Sequence, residues 1–421
     1  MSPRPEANPA LRTFPLRLFG ARKARAVLDE HPFDRRDFEP ALNTRLLVLQ
    51  STPFCNIDCD YCYLPNRHNP ARMSVLTARL AARRLAEDDL VGPSLTVIWH
   101  AGEPLTAPPA FYEEAFAAIA DELGSGCEIS HSIQTNATLI DDRWCELFRR
   151  HGVRVGVSVD GPAFVHDRHR TTRDGKGTHR RLLRGVAKLR QHGIAHHAIA
   201  VVTADSLAHA DAIHAFFAEQ GIHDVGFNFD EAEGVHSASS LEHREQEYAA
   251  FVERMLLHMQ SSAGSYQVRE LTNAFRLIRD GAPTYRWRGE VLPENGQTMP
   301  FAMISVAWNG DFSTFSPELL GQANVRFDNF RLGNVERESY LAAANNAPFR
   351  ALWTAVVGGV DACRQACPYF GYCGGGSPAN KLYENSDIAS AETLYCRNMI
   401  KRPFDTVLSH LETTIAASTS R

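Results

Sequence analysis

The chain has 421 residues, of which 44% are hydrophobic and 22% charged, and its formal net charge is -5. This charge gives no reason to expect a nucleic-acid or membrane partner, and no apolar run reaches the ~18 residues that a membrane helix needs. The N-terminal stretch MSPRPEANPALRTFPLRLFG lacks a continuous apolar segment, so we expect no signal peptide and a cytoplasmic protein.

A strand-then-helix alternation repeats six times between about residues 45 and 262. The predicted strands, in chain order, are RLLVLQST, LTVIWHAG, EISHSIQTN, VRVGVSVDG, HHAIAVVTAD and VGFNFDEAEG. The helices that follow them are VLTARLAARRLAEDDL, FYEEAFAAIADELG, DDRWCELFRRHG, THRRLLRGVAKLRQHG, SLAHADAIHAFFAEQG and LEHREQEYAAFVERMLLHMQ. Several strands are apolar on both faces, which is typical of a buried parallel sheet. Because a closed eight-unit barrel needs ~250 residues, we predict an α/β fold with a partial (β/α)6 TIM-like barrel.

Polar residues follow the predicted strands. They are HAGEP at 100–104, QTN at 134–136, SVDG at 158–161, Thr203, Asn228, Asp230 and Glu231. In a parallel barrel the carboxyl ends of the strands meet at one face, where barrel enzymes keep their chemistry. The sequence therefore predicts an active site at this face.

Three of the nine cysteines lie in CNIDCDYC, as Cys55, Cys59 and Cys62, which we call the cysteine trio. Three thiolates on a four-iron cluster would leave one iron with an open position for a small molecule. A zinc knuckle that borrows His68 is the alternative.

A second group of cysteines, the cysteine quartet, consists of Cys363, Cys367, Cys373 and Cys396. Four thiolates would close every corner of a cluster, which suits electron transfer, and they suit structural zinc equally well. The spacing alone leaves both alternatives open. We expect Cys127 and Cys145, which stand apart from both groups, to be structural.

The trio resembles the signature of the radical S-adenosylmethionine (SAM) superfamily. In that superfamily the open iron of a [4Fe-4S] cluster binds the amino and carboxylate groups of SAM. An electron from the cluster then cleaves the sulfonium and yields a 5′-deoxyadenosyl radical, so that the hard chemistry belongs to the cofactor.

The resemblance implies cofactor-binding roles for the strand-end residues. AGEP, which is Ala101, Gly102, Glu103 and Pro104, resembles the GGEP motif that receives the methionine amino group. Ala101 replaces the first glycine, and we expect that only Gly102 needs to allow close approach. The remaining positions match the superfamily as follows: Tyr61 beside the adenine, Asn136 and Ser158 near the methionine moiety, and Arg170 paired with its carboxylate. Without the resemblance, Asn136 and Ser158 could equally be caps, and Arg170 a surface arginine.

The segment from about residue 300 resembles a SPASM domain, which carries auxiliary clusters in radical SAM enzymes that act on peptides and proteins. Two cysteines of that domain are replaced here, by Phe315 and Ser377, and both would serve the same cluster. The resemblance therefore implies two [4Fe-4S] clusters in all, one on the trio and one on the quartet. The predicted domains are an N-terminal extension at 1–43, the partial barrel at 44–265, a connecting segment at 266–299 and the SPASM-like domain at 300–421.

Longer stretches resemble one subgroup, the cyclophane-forming peptide maturases of the glycine-rich-repeat (GRRM) type. These stretches are TPFCNIDCDYCYLPNR, FNFDEAEGVH, FSTFSPELLG and CPYFGYCGGGSPANKLYEN, and the likeness covers about residues 44–405. It implies a ribosomally made precursor peptide as substrate and reduced flavodoxin or ferredoxin as electron donor. The radical would take a β-hydrogen from one residue, and the resulting carbon radical would add to an aromatic ring two residues away. Asp230, Glu231 and Glu318 are candidates for the base that removes the ring proton, unless they only cap helices.

Two other functions compete with this one. An anaerobic sulfatase maturase has the same architecture, but such enzymes hold an aspartate where this chain has Ser316. A non-catalytic cluster or zinc scaffold that binds a peptide is the alternative from another class. Residues 1–25 hold six Arg or Lys against one Glu, which fits either a flexible terminus or a segment that docks an acidic leader peptide.

Overall fold

The structure is a computed structural model that describes residues 33–419. The hypothesis that the first 30 residues dock a leader peptide concerns a segment outside this range. Within the described range no helix is both long and apolar enough to pass through a bilayer.

The described chain alternates strands and helices as far as α8. Its strands are β1 Phe38–Glu39, β2 Thr44–Leu49, β3 Asp58–Cys59, β4 Val91–Trp99, β5 Glu128–Thr135, β6 Arg154–Ser158, β7 Arg170–Thr171, β8 His196–Val202, β9 Asp224–Phe229, β10 Gln267–Val268, β11 Thr284–Trp287, β12 Glu290–Pro293, β13 Met303–Val306, β14 Asp311–Thr314 and β15 Gly333–Asn334. Its α-helices are α1 Val75–Glu87, α2 Pro109–Leu123, α3 Asp142–His151, α4 Ala163–His169, α5 His179–Gln191, α6 Ala210–Gln220, α7 Glu245–Ser261, α8 Arg269–Asp280, α9 Tyr340–Ala343, α10 Ala347–Ala366, α11 Phe370–Cys373, α12 Pro378–Asn385 and α13 Arg402–Thr419.

One sheet runs through most of the described chain, in the order β10-β9-β8-β6-β5-β4-β2-β13-β14-β15. Every pair from β10 to β13 is parallel. The six predicted strands are therefore adjacent in chain order, as a β/α succession requires. The two ends of the sheet do not pair with each other within residues 33–419, and the curvature of a partial barrel stays a prediction.

Local sequence explains the helix ends. Ser74 caps α1 by accepting a hydrogen bond from the Thr77 amide, and Asp141 caps α3 through the Trp144 amide. Gly152 and Gly221 follow α3 and α6 with φ of 59° and 66°, in the left-handed conformation that is typical of a glycine at the end of a helix.

The predicted boundary at residue 265 does not match the sheet. β10 pairs in parallel with β9, and α8 follows it directly, so the connecting segment begins with a seventh strand–helix unit. The periodicity did not reveal this unit because β10 is only two residues long. β13, from the predicted SPASM-like region, pairs in parallel with β2. The sheet therefore crosses both predicted domain boundaries.

The described part of the N-terminal extension packs on the C-terminal half. β1 pairs with β11, and the Phe33 ring lies 5.6 Å from that of Phe301 and 5.5 Å from that of Phe349. This aromatic cluster joins both ends of the described chain in one core.

Candidate active site

The cysteine trio lies on the loop that follows β2. Within this loop Cys59 belongs to β3, which pairs with β7 so that Cys59 lies opposite Arg170. Arg67 holds the loop from behind, because its Nη1 donates to the Cys59 carbonyl at 3.1 Å and pairs with Asp58 at 2.9 Å. All three cysteines are free thiols, and Cys59 and Cys62 line a cavity of about 760 Å³.

AGEP packs directly behind this loop. A Cβ on Gly102 would lie 2.3 Å from the Thr52 carbonyl oxygen, so only glycine fits there. Ala101 also has a left-handed backbone, with φ of 68° against 72° at Gly102. The expectation concerned close approach at Gly102 and did not include the backbone conformation of Ala101. A left-handed conformation costs an alanine roughly 1–2 kcal/mol.

Glu103 and Pro104 are buried and tie strand ends together. The Glu103 carboxylate accepts hydrogen bonds from the Leu105 amide at 2.9 Å, the Thr135 hydroxyl at 2.7 Å and the Asn136 amide at 2.8 Å. Burial raises the pKa of Glu103 to about 7, against the opposing effect of these hydrogen bonds. The glutamate side chain thus holds the ends of β4 and β5 together, and its role toward a methionine amino group stays a prediction.

Asp160 lies in the SVDG segment that the sequence places at the active-site face, but the sequence indicated no role for it. Its carboxylate, only 2% exposed, accepts from Arg170 Nε at 2.8 Å, Arg170 Nη2 at 2.9 Å and the Tyr61 hydroxyl at 2.6 Å. The Val201 amide adds a further bond at 2.9 Å. Burial alone would raise the pKa of Asp160, but the charge and hydrogen bonds of Arg170 hold it below its usual value. Tyr61 and Arg170 are therefore positioned beside Cys59 by one buried carboxylate.

The other predicted SAM-contacting residues have polar partners of their own. Ser158 accepts a hydrogen bond from Gln134 Nε2 at 2.9 Å, and both side chains line the cavity. Asn136 Nδ2 donates to Asn56 at 2.8 Å and approaches the Cys55 sulfur at 3.9 Å. Asn136 thus orients the trio loop, whereas Ser158 faces open space.

Three glutamates that lie close to one another also line this cavity: Glu231, Glu233 and Glu318. Glu231 Oε2 accepts from Asn380 Nδ2 at 2.5 Å, and burial raises the pKa of Glu231 to about 8. Burial and the charges of the other two also raise the pKa of Glu233 well above its usual value. Sequence reasoning missed Glu233, although Glu-Ala-Glu in an extended segment places both acids on one side.

Asp230 also lines this cavity, but its oxygens are already engaged. Oδ1 lies 2.8 Å from His236 Nε2, and Oδ2 accepts from the Ser240 amide at 2.8 Å. The structure thus brings Glu231 and Glu318 together at the cavity wall and gives Asp230 a role in holding the loop after β9.

The quartet is gathered around the turn CGGGS. Asn295 Nδ2 holds this turn by donating to the carbonyls of Cys373 and Gly376, at 2.9 and 2.8 Å. A Cβ on Gly376 would lie 3.3 Å from the Cys396 sulfur, so the turn approaches that thiol closely. Within residues 33–419 no group of three His, Cys, Asp or Glu side chains converges to hold one metal ion. The cysteines of a four-iron cluster each bind a different iron, so they need not converge on a single point.

The two positions where cysteines are replaced lie next to each other and are filled by other side chains. Phe315 is 1% exposed, and its ring stacks on Trp353 with centroids 5.9 Å apart. The hydroxyl of the adjacent Ser316 donates to Gln297 Oε1 at 2.8 Å and lies 3.5 Å from that of Ser377. An aromatic ring and paired hydroxyls thus fill the space around these positions.

Comparisons with known proteins agree with this geometry. Residues 49–216 match the Radical SAM superfamily. An uncharacterized protein of Synechocystis sp. is 38% identical over 88% of this chain and 92% of its own length. The serine-type anaerobic sulfatase-maturating enzyme of Bacteroides thetaiotaomicron is 25% identical over 82% of this chain and 84% of its own.

Two solved structures share the fold at low sequence identity. anSMEcpe with bound AdoMet and Cp18Cys peptide has a TM-score of 0.68 at 19% identity, and covers 88% of this chain and 99% of that one. Streptococcus suis SuiB bound to precursor peptide SuiA has a TM-score of 0.58 at 16% identity, and covers 89% of this chain and 79% of that one. The mixed α/β fold with a central parallel sheet is therefore common to the three proteins.

The residues present fit the SAM and [4Fe-4S] cluster that this superfamily implies. The trio offers three free thiols on one loop, two of them open to the cavity. The bare Gly102 lets the AGEP backbone lie directly against that loop. The interpretation as a non-catalytic scaffold is accordingly set aside. The chain belongs to the radical SAM superfamily and is a radical SAM enzyme.

Proposed function

We propose that this enzyme joins the β-carbon of one residue of a ribosomally made precursor peptide to an aromatic ring two residues away. The observation that carries the proposal is the cavity that reaches from Cys59 and Cys62 to Glu231 and Glu318. The cysteines that would hold the radical-generating cluster and the carboxylates that could accept a proton line this one space. A volume of about 760 Å³ leaves room for a peptide segment beside the cofactor.

The fold shared with anSMEcpe and SuiB, each solved with a bound peptide, supports a peptide substrate. Met399, Ile400 and Pro403, near the start of α13, line the same cavity as the polar side chains of Gln134 and Ser158. A cavity lined by both apolar and polar side chains suits an aromatic side chain.

The residues around the trio would bind and orient the cofactor. The three thiols would hold the cluster, Gly102 would admit the methionine moiety, and the ion pair of Arg170 with Asp160 would fix the edge of the site. When bound, the cluster and SAM supply hydrogen abstraction from the substrate, and a cluster on the quartet would accept the electron released. The substrate thus loses one hydrogen atom, one proton and one electron for each new carbon–carbon bond. A reduced flavodoxin or ferredoxin would supply the electron that starts each turnover.

Glu231 is the best-placed base for the ring proton. Asn380 orients one carboxylate oxygen, and the other is left to face the cavity. A pKa of about 8, raised mainly by burial, suits a group that accepts a proton near neutral pH. Asp230 is less suited, since His236 and the Ser240 amide already engage both its oxygens.

Formylglycine formation on a sulfatase is the second candidate, favoured by the likeness to the sulfatase-maturating enzyme of Bacteroides thetaiotaomicron. Against it stands Ser316, where the maturases that this chain resembles hold an aspartate. Ser316 is 1% exposed and donates to Gln297, so it offers no base to the cavity.

Co-expression with short open reading frames from the gene neighbourhood tests the proposal. Crosslinking and formylglycine formation each remove two hydrogens, so intact mass alone does not separate them. Tandem mass spectrometry should show a three-residue segment that does not fragment internally, and a hydrazide probe should not react. A hydrazide-reactive product would favour the sulfatase maturase, and an unchanged peptide would contradict both. A variant with Cys62→Ala provides the inactive control.

A further inference from the structure

Two of the cavity glutamates have no partner that balances their charge. Glu233 is 6% exposed, and no residue in the described range donates a hydrogen bond to its carboxylate or forms an ion pair with it. Glu318 Oε2 is buried and likewise has no hydrogen-bond partner among the described residues. A buried carboxylate is costly unless it is protonated or paired with a cation, and a cation that enters the cavity would stabilise the charged form. We call these two residues the acidic pair.

Three arginines of the described range line this cavity, Arg170, Arg269 and Arg276, and none of them forms an ion pair with the acidic pair. Arg269 pairs with Glu270 at 2.5 Å and also donates to Asn228 at 2.7 Å. Lys381 Nζ donates to the Gly359 carbonyl at 2.8 Å. The acidic pair therefore has no cationic partner among residues 33–419.

The acidic pair lies close to the cysteine trio. The Val235 amide donates to the carbonyl of Tyr63, the residue after Cys62, at 3.2 Å. Gly234 has φ of 57°, and a Cβ there would lie 2.3 Å from the same carbonyl oxygen. The segment that carries Glu233 therefore packs directly on the end of the trio loop. A ligand group between the acidic pair would be near the site of hydrogen abstraction.

We propose that the acidic pair binds the ammonium or guanidinium group of a lysine or arginine side chain of the precursor peptide. This basic residue would be either the residue that loses its β-hydrogen or the residue next to it in the peptide. The inference rests on the proposed function in taking a peptide as the ligand. The physical reason is charge balance, because one cation between two buried carboxylates forms charge-assisted hydrogen bonds with both. The aliphatic parts of lysine and arginine side chains are long enough for the peptide backbone to stay outside the space between Glu233 and Glu318.

A binding experiment on the reconstituted holoenzyme tests this inference without turnover. The probe is a fluorescein-labelled glycine–serine peptide that carries one phenylalanine and, two residues later, a lysine. The matched peptide carries norleucine, which keeps the aliphatic stem and lacks the charge. We expect the lysine peptide to bind about 10- to 100-fold more tightly by fluorescence anisotropy, as charged hydrogen bonds in a buried site allow.

Matched variants locate the effect. Glu233→Gln and Glu318→Gln should each reduce the preference for lysine to about threefold or less. Glu294→Gln should leave the preference unchanged, since Glu294 also lines the cavity but already pairs with Arg45 at 2.6 Å. Iron content and circular dichroism of each variant establish that it is folded.

Equal affinity of wild-type enzyme for both peptides, or no binding of either at millimolar concentration, would overturn the inference. So would a lysine preference that survives both substitutions in the acidic pair. A crosslinked precursor without any lysine preference would leave the proposed function standing and remove only this inference. A lysine preference without a crosslinked product would support this inference and contradict the proposed function.

Discussion

Asp160 gives the sharpest prediction, because one buried carboxylate organises the side of the site next to Cys59. Replacing it by asparagine removes the charge that faces Arg170, which is itself 7% exposed. The asparagine side chain accepts through its oxygen only, so its NH2 group would face two donors that it cannot accept from. These donors are either Arg170 Nε and the Tyr61 hydroxyl, or Arg170 Nη2 and the Val201 amide. Breaking a buried ion pair by removing one partner costs about 3–5 kcal/mol.

We therefore expect Asp160→Asn to lower the free energy of unfolding by about 3–5 kcal/mol in anaerobic urea titrations. Tyr61→Phe, which removes one of these hydrogen bonds, should cost about 1 kcal/mol. Asp174→Asn, which changes an exposed acid paired with Lys176, should leave the free energy of unfolding nearly unchanged. Because Arg170 depresses the folded pKa of Asp160, its contribution exists above the ordinary value of 3.8 and is lost as the pH falls through the folded value. An Asp160→Asn variant within about 1 kcal/mol of wild type at pH 7 would refute this reasoning.

Three further predictions concern the cofactor sites and the base. Gly102→Ala should lower iron content and reduce 5′-deoxyadenosine formation by at least about tenfold, because the new Cβ would lie 2.3 Å from a carbonyl oxygen of the trio loop. Unchanged iron content and 5′-deoxyadenosine formation would contradict the close packing of Gly102 on that loop. Glu231→Gln should abolish crosslinking while 5′-deoxyadenosine still forms. The wild-type crosslinking rate should rise with pH and level off above the pKa of Glu231, about 8, because the base must be deprotonated to act. A pH-independent rate would exclude Glu231 as base. Cys363→Ala with Cys396→Ala should remove about half of the iron by colorimetric assay and stop crosslinking without stopping SAM cleavage; full iron content would argue against a cluster on the quartet.

The strand and helix pattern could be predicted because its causes are local. The six strands and helices that follow from periodicity are all present, with ends shifted by a few residues. β10 could not be predicted, since two residues carry no periodicity and their pairing with β9 depends on the sheet already formed. Likewise, the single predicted helix from Ser206 begins as a 3-10 turn, Ala204–His209, before α6.

In the candidate site, too, local features could be predicted from the sequence and features that depend on distant residues could not. Thiol spacing indicated the trio and the quartet because cysteines of each group lie close in sequence, and their role as cluster ligands stays a prediction. The role of Asp160 depends on Tyr61 and Arg170, which are distant along the chain, so no local pattern indicated it. The open carboxylates of Glu233 and Glu318 depend on which cations of other elements are already paired. Interactions of this kind become visible only once the chain is folded.

Deuterium transfer would show whether the radical takes a β-hydrogen from the residue that becomes crosslinked. The precursor is labelled with deuterium at the β-carbon of the residue to be crosslinked and incubated without oxygen with enzyme, SAM and reductant. We expect deuterium in 5′-deoxyadenosine together with a crosslinked peptide that has lost that label. Deuterium appearing only from an α-carbon label, or labelled 5′-deoxyadenosine without any crosslinked product, would contradict it.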